Sequence, residues 1–320
     1  MIGYGHQTID DSDIAAVTAV LRSEWLTQGP AVGRFEDALC EYTGARYAVC
    51  VSSGTAALHL AYLAMGLAPG KRFWCPAITF RATANAARYC GATVEYVDVE
   101  PFTGLVNTGP RRDHPDLAAV VDMAGVGCPV LWSVPTVRDA CHSLGGQWVT
   151  GHMPTVLSFH PVKSITTGEG GAVLTDDPAI ADRCRRLRTH DGDPGYNYRM
   201  SDIAAALGAS QLKRLDSFIA RRRELAARYN DLLADVDVCL PTQSLTHGAW
   251  HLYQIAVDNR DAVAWRMTRA GIGVQIHYEA LAPMPGALAF HARTLTLPLY
   301  PTLREAEQDR VIETLKGAIA

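Results

Sequence analysis

Lysine is scarce in this chain of 320 residues: of its 29 lysine and arginine residues, only Lys71, Lys163, Lys213 and Lys316 are lysines. Chemistry that needs a primary amine therefore has few candidates. Charged residues make up 19% of the chain and the formal net charge is −4, so the composition predicts no basic surface for nucleic acid or for an anionic membrane.

Four further patterns are missing from the sequence. None of the eight cysteines forms a C-x-x-C pair, and Gly248 interrupts the spacing of His247 and His251, so no metal site is predicted. No uncharged apolar run reaches the roughly 18 residues of a membrane span, and the start of the chain lacks a signal-peptide pattern. We therefore expect reduced thiols and a cytoplasmic location.

The first half of the chain alternates short β-branched runs with helical or turn segments. This alternation predicts an α/β fold with a mainly parallel central sheet covered by helices on both faces. One helix is expected to follow the Ser52–Thr55 turn, from about 56 to 65, and to be buried on nearly all sides. The predicted strands span 47–51, 94–97, 118–121, 135–137, 155–159 and 172–175.

The second half of the chain predicts a smaller α+β domain. Apolar spacing indicates one long helix from Asp202 to about Leu233, with the run 221–224 (RRRE) as its solvated face. A strand at 251–257, a helix at 261–270, a strand at 274–278 and a helix at 302–319 are expected to follow, the last opened by a capping box of Thr302 and Glu305. We predict a large domain at 1–225 and a small domain at 226–320.

Lys163 lies in the segment SFHPVKSITTGEGG, directly after a predicted strand. Active sites form at strand ends of parallel sheets, and a desolvated lysine has a lowered pKa that makes its amine a nucleophile towards carbonyls. On this segment alone, a surface lysine in a turn is an equally good interpretation.

Three other features favour the interpretation of Lys163 as an active-site residue. Asp139 ends another predicted strand and could bind a protonated ring nitrogen, although an aspartate at a strand end is often only a cap. The Ser52–Thr55 turn places free amides and hydroxyls at a helix start, which suits a phosphate as well as simple capping. Phe80 could stack on a flat ring or could pack in the core. Together with Lys163, these features predict a pyridoxal 5'-phosphate site.

The sequence resembles the DegT/DnrJ/EryC1/StrS sugar aminotransferases along nearly its whole length. The matching stretches include WLTQGPAVGRFEDALCEYTGARYAVCVSSGTAALHLA, DACHSLG, SFHPVKSITTGEGGAVLT and GYNYRMSDIAAALGASQLKRL. The start YGHQTI and the motifs around Lys163 and Asn197 look most similar to the transaminases of pseudaminic acid synthesis. The resemblance implies an aspartate aminotransferase-like enzyme of fold type I. That enzyme would transfer the amino group of L-glutamate to C4 of a UDP-linked 4-keto-6-deoxy-N-acetylhexosamine.

The resemblance also implies a role for each matching residue. Lys163 would link covalently to the cofactor and move protons, while Asp139 would bind its ring nitrogen and Phe80 would stack on the ring. Asn197 would reach the cofactor phosphate of a partner subunit, which implies a homodimer. The remaining implied residues are Gly54, Thr55 and Ser158 at the phosphate, His142 beside the cofactor, and Tyr4, Gln28, Arg199, His277 and Tyr278 as contacts to the substrate or donor.

The chain departs from the family pattern mainly in segments expected to face the substrate. Only 17 positions separate Asp122 from Asp139 (139 minus 122), too few for the usual helix, and the loop between Asp191 and Tyr196 is short. Alternatives therefore remain open: the same chemistry on a dTDP- or GDP-linked keto sugar, or a regulatory or binding protein without catalysis. A sugar dehydratase is disfavoured because that branch replaces the lysine with histidine.

Overall fold

A seven-stranded sheet forms the centre of the molecule. The computed structural model describes residues 1–106, 115–122, 134–147, 149–191 and 194–320. The strand order is β1-β7-β6-β5-β4-β2-β3, in which β7 runs antiparallel to both neighbours and the other neighbouring pairs are parallel. The predicted mainly parallel sheet is therefore confirmed. Its strands are β1 (Tyr47–Val51), β2 (Arg72–Pro76), β3 (Thr93–Val97), β4 (Leu117–Val121), β5 (Thr136–Asp139), β6 (Thr155–Ser158) and β7 (Gly171–Thr175).

Helices cover both faces of this sheet because its strands are apolar on both sides. In β1, Val49 and Val51 face one core and Ala48 and Cys50 face the other, as the two-residue period of a strand requires. The first core includes α3 (Gly54–Ala64), α4 (Arg81–Tyr89) and α5 (Pro178–Leu187). The second includes α1 (Asp11–Leu21), α2 (Pro30–Thr43), α6 (Asp202–Leu212) and the start of α7 (Leu215–Leu232).

A second, two-stranded sheet lies in the last part of the chain. Strands β8 (Tyr253–Ala256) and β9 (Thr294–Leu297) pair antiparallel, and α8 (Arg260–Arg269), α9 (Pro285–Arg293) and α10 (Glu305–Ile319) accompany them. Helix α7 contributes to two hydrophobic cores, one at each sheet. Leu215 packs with the large sheet, whereas Leu225 packs with the small one. The domain division at 225/226 remains a prediction, and this change within α7 is in keeping with it.

Three predictions for the second half were wrong in detail. The expected long helix breaks at Lys213 and Arg214 into α6 and α7. The expected strand at 274–278 makes only an isolated bridge between Gln275 and Thr296, while β9 takes the place beside β8. The last helix begins at Glu305, and its capping carboxylate belongs to Glu307, which accepts a hydrogen bond from the Arg304 amide at 3.0 Å.

Arg222 also corrects the prediction of a solvated RRRE face. Its side chain is buried at 1% exposure, and it donates hydrogen bonds to the carbonyl oxygens of Leu299 at 2.8 Å and His251 at 3.2 Å. Burial lowers the pKa of this guanidinium to about 10. Arg222 therefore joins α7 to the segments that flank the small sheet.

Two sequence-based interpretations lie outside the described residues: the replacement of a helix by the segment 125–136 falls largely there, and so does part of the short loop after Asp191. Among the described helices, none is both long and apolar enough to cross a membrane.

Candidate active site

A cavity of about 550 Å³ opens at the carboxyl ends of β4, β5 and β6, beside the start of α3. Parallel strands end at one edge of a sheet, so the residues that follow them meet there although they are distant in sequence. The volume is in the range of a cofactor site. The predicted site residues that line it are Tyr4, Gly54, Thr55, Phe80, Asp139, His142, Ser158, Lys163, His277 and Tyr278.

Lys163 is half-buried in the turn after β6, and its amide donates to the His160 carbonyl oxygen at 2.9 Å. Burial lowers the pKa of its amine, because the charged ammonium loses hydration. The nearby Cys141 and Asp139 act in the opposite direction, more weakly. The neutral amine, which is the form that attacks carbonyl carbon, is therefore easier to form than in a solvated lysine.

Asp139 is the last residue of β5 and is 5% exposed. The Thr83 hydroxyl donates to its Oδ2 at 2.7 Å, and the Cys141 amide donates to its Oδ1 at 3.2 Å. Thr83 lies within 2.8 Å of the Thr79 hydroxyl. These contacts fix the carboxylate in one orientation at the cavity wall, where it could bind a protonated ring nitrogen.

The start of α3 comes very close to the ends of β6 and β7. Ser53 caps the helix by accepting the Ala56 amide at 3.1 Å. A Cβ on Gly54 would lie 3.0 Å from the Ser158 Cβ, and one on Gly171 would lie 2.6 Å from the Ser53 carbonyl oxygen. Glycine at both places permits this approach, which brings the first amides of α3 and the Ser158 side chain to the same end of the cavity. That arrangement suits a phosphate group.

Aromatic rings form the opposite part of the cavity wall. Phe80 is 55% exposed and its ring centre lies 5.7 Å from that of Tyr278. The Tyr278 hydroxyl lies 2.9 Å from Nε2 of the buried His142. An exposed ring at a cavity mouth can cover a flat ligand, which fits the stacking role predicted for Phe80.

Three buried histidines gather around Lys163: His142, His251 and His277. The rings of His142 and His251 meet edge to face with centres 4.8 Å apart, and those of His142 and His277 lie 6.2 Å apart. Burial first, and then the positive charge of Lys163, lowers the pKa of all three, that of His277 to about 3. This wall therefore stays uncharged at neutral pH.

Three predicted site residues do not line this cavity. Asn197 is exposed, and Arg199 is half-buried and pairs with Val51 in an isolated bridge. Gln28 is exposed, in a loop where it has a φ of 58°. Their roles stay predictions that involve a second subunit or a bound substrate.

The residues of the cavity or its support that sequence reasoning missed include Thr83, Cys141, His251 and Glu169. Thr83 follows Phe80 by three residues at the start of α4, a spacing that returns to the same helix face, so a signal existed. His251 had none, because only the tertiary fold brings it to His142.

The family of this chain follows from its match to one family model. That model describes the DegT/DnrJ/EryC1/StrS aminotransferase family, and the model matches residues 7–110 and 116–316 of this chain. This chain belongs to that family.

Similar proteins agree with the family assignment. The chain is 36% identical to the UDP-4-amino-4,6-dideoxy-N-acetyl-beta-L-altrosamine transaminase of Campylobacter jejuni serotype O:2, over 87% of this chain and 84% of that protein. Helicobacter pylori PseC, an aminotransferase of pseudoaminic acid biosynthesis, has a TM-score of 0.93 at 26% identity, covering 99% of both chains. The PLP form of Streptococcus pneumoniae Spr1654, a putative sugar aminotransferase, has a TM-score of 0.92 at 27% identity, covering 99% of this chain and 98% of that one.

This member of the DegT/DnrJ/EryC1/StrS family is a pyridoxal-phosphate-dependent aminotransferase, and its cavity fits that cofactor. An amine with a lowered pKa, a buried carboxylate, a helix start closed against Ser158 and an exposed aromatic ring surround one space of sufficient volume. The family's fold-type I architecture is likewise confirmed.

Proposed function

We propose that the chain transfers the amino group of L-glutamate to C4 of a UDP-linked 4-keto-6-deoxy-N-acetylhexosamine. The product would be a nucleotide 4-amino sugar for pseudaminic acid or a related surface glycan. The observation that carries this proposal is the 36% identity, over 87% of the chain, to the Campylobacter transaminase named above.

Each of several described residues would have a separate role in such a reaction. Pyridoxal phosphate supplies an electron sink for charge that develops at the carbon losing its proton. We assign Asp139 to hold the ring nitrogen protonated, and the first amides of α3 with Thr55 and Ser158 to hold the phosphate. Phe80 covers the ring. Lys163 would hold the cofactor covalently through its amine, and the same amine would accept and return the proton at the donor carbon.

The side chains of Tyr4, His277 and Tyr278 are proposed to contact the sugar. Tyr4 and His277 have ring centres 5.5 Å apart, and Nδ1 of His277 lies 2.8 Å from the Thr296 hydroxyl. Neutral imidazole and phenol groups can donate and accept hydrogen bonds, which suits a sugar that carries hydroxyl and acetamido groups. His142, whose Nε2 lies 2.9 Å from the Tyr278 hydroxyl, is assigned a role beside the cofactor rather than at the sugar.

We further propose a homodimer in which each subunit completes the other's site through Asn197, with Gln28 and Arg199 near the shared region. The exposure of Asn197 away from its own cavity supports this arrangement. A cytoplasmic location is also part of the proposal. The cysteines within the described ranges are all free thiols, in keeping with a reducing compartment.

A panel of nucleotide sugars tests the substrate. The UDP-linked 4-keto-6-deoxy-N-acetylhexosamine, and dTDP- and GDP-linked 4-keto-6-deoxyhexoses, are each incubated with the holoenzyme and L-glutamate, and the amino product is measured by mass. We expect the UDP sugar to give the highest kcat/KM, by about tenfold or more, since one lost set of hydrogen bonds in a polar site changes rates by that order.

Two controls make the panel decisive. Lys163→Ala should abolish the product with every sugar, which ties it to this site. Product from the dTDP or GDP sugar at a kcat/KM equal to or above that of the UDP sugar would reject the proposed substrate while leaving the aminotransferase assignment in place.

A further inference from the structure

A buried histidine lies outside the cavity, beneath a cluster of tyrosines. His59 lies in α3, five residues after Gly54, and is 3% exposed. Its ring packs edge-on against Tyr196 with centres 4.9 Å apart and against Tyr198 with centres 5.9 Å apart. It also meets Tyr89, the last residue of α4, at 5.7 Å. The roles proposed above for the active-site residues do not explain why His59 contacts these three tyrosines.

The two tyrosines flank the residue proposed to enter the partner's site. Tyr196 and Tyr198 stack on each other with centres 5.1 Å apart and ring planes 8° from parallel. Nδ1 of His59 lies 3.2 Å from the Tyr198 hydroxyl. Asn197, between the two tyrosines, is exposed, whereas both tyrosines are half-buried.

Backbone hydrogen bonds also hold the segment 196–198, through partners other than His59. The amides of Tyr196 and Tyr198 donate to the Leu187 and Arg188 carbonyl oxygens at 2.9 and 3.1 Å, and the Ser52 amide donates to the Tyr198 carbonyl oxygen at 2.8 Å. These bonds fix the path of the chain. The side chains of Tyr196 and Tyr198 add contacts with His59, whereas the side chain of Asn197 between them is exposed.

We propose that His59 is a positioning residue for the partner subunit's active site, acting through the Tyr196 and Tyr198 stack on Asn197. The inference rests on the proposed shared site. His59 lies in the helix that begins at its own subunit's phosphate cradle, so an effect within that same subunit is the competing explanation. The two differ in which subunit loses cofactor affinity when His59 is changed.

A mixed dimer distinguishes an effect on the partner subunit's site from an effect within the same subunit. Subunits carrying His59→Ala and subunits carrying Lys163→Ala are co-expressed with different affinity tags, and the mixed dimer is isolated through both tags. Its lysine at position 163 is present only in the His59→Ala subunit, whose site receives Asn197 from a subunit with an intact His59. Borohydride reduction followed by mass spectrometry then measures how much of Lys163 is linked to pyridoxal phosphate at each cofactor concentration.

In the His59→Ala homodimer we expect half-maximal labelling of Lys163 to need about tenfold more pyridoxal phosphate than in the wild type, the effect of one lost hydrogen bond and its packing. In the mixed dimer we expect the wild-type midpoint. A mixed-dimer midpoint equal to that of the His59→Ala homodimer overturns the proposal. A His59→Ala homodimer midpoint equal to that of the wild type also overturns it. His59→Phe, which fills the space and removes the bond to Tyr198, is carried through the same pairing if His59→Ala does not fold.

An Asn197→Ala subunit paired with a Lys163→Ala subunit is the control for the shared site itself. Recovery of labelling in that pair without recovery in the His59 pair rejects the role of His59 and leaves the shared site intact. Failure to recover in the Asn197 pair rejects the shared site, and with it the basis of the inference.

Discussion

Lys163 is the residue proposed to carry the chemistry, and the burial of its amine predicts a distinctive pH dependence. Burial disfavours the ammonium, so the pKa lies below the ordinary value of 10.5. We expect the rate at which pyridoxal phosphate attaches to the apoprotein to rise with pH and to reach its midpoint below that value. Stopped-flow absorbance in the visible range measures this rate.

Asp139→Asn provides a matched variant for the same measurement. The Asp139 carboxylate raises the pKa of Lys163, so its loss should move the midpoint to still lower pH. A midpoint at or above the ordinary lysine value, or a move to higher pH in Asp139→Asn, would contradict the electrostatic account of this pair.

Single residues show where sequence reasoning succeeds. Lys163, Asp139 and the turn before α3 were predictable because each follows a strand, and strands of a parallel sheet bring such positions to one edge. Thr83 and His251 were not predicted. Thr83 contributes a hydroxyl to Asp139 from a helix, and His251 reaches His142 only through the packing of the small sheet, which no local spacing encodes.

At the scale of secondary-structure elements, Asp202 joins two helices. It is the first residue of α6 and is 1% exposed, and its carboxylate accepts the Gly29 and Ala31 amides at the start of α2, both at 2.8 Å. Its own amide donates to the Leu26 carbonyl oxygen at 3.0 Å. The carboxylate therefore serves as a cap for α2, from a position distant in sequence.

Asp202→Ala should lower the free energy of unfolding by about 3 kcal/mol, because the half-buried Gly29 amide and the buried Ala31 amide both lose their acceptor. Asp177→Ala removes an exposed cap, whose carboxylate accepts only the Ala179 amide at 2.8 Å, and should lower that free energy by about 1 kcal/mol. Denaturant titration of both variants measures the difference. Equal losses would show that the second amide and the burial contribute nothing.

Elements also show where sequence patterns fail. Strand β2 was not predicted because it closely follows a turn of Pro69 and Gly70 and ends with Pro76, a residue that is disfavoured within central strands. The break between α6 and α7 was invisible because the apolar spacing continues across it. Arg222 looked solvated among its charged neighbours, yet carbonyl groups of the chain that flanks the small sheet bind it. The misreading of Arg222 therefore comes from tertiary contacts that override a local preference.

At the scale of the whole molecule, the segment from Tyr278 to Ala287 connects the small sheet to the large one across the cavity. The Leu281 amide donates to the Ala77 carbonyl oxygen at 2.8 Å. Asp98 then accepts the amides of Gly286 at 3.0 Å and Ala287 at 2.9 Å, at the start of α9. Because Tyr278 lines the cavity, the position of this segment also sets part of the proposed site.

Gly286 is the closest point of that connection. A Cβ at this position would lie 1.9 Å from the Val99 carbonyl oxygen, so Gly286→Ala must displace α9 from Asp98. We expect the free energy of unfolding to fall by about 2 kcal/mol, measured by denaturant titration, and hydrogen exchange at the α9 amides to become faster. Gly33→Ala, in α2 with no heavy atom within 4 Å of the added methyl, should instead raise stability by about 0.5–1 kcal/mol, since alanine favours a helix over glycine. If Gly286→Ala matched Gly33→Ala in both measurements, α9 would not be held against the large sheet as the contacts with Asp98 and Val99 require.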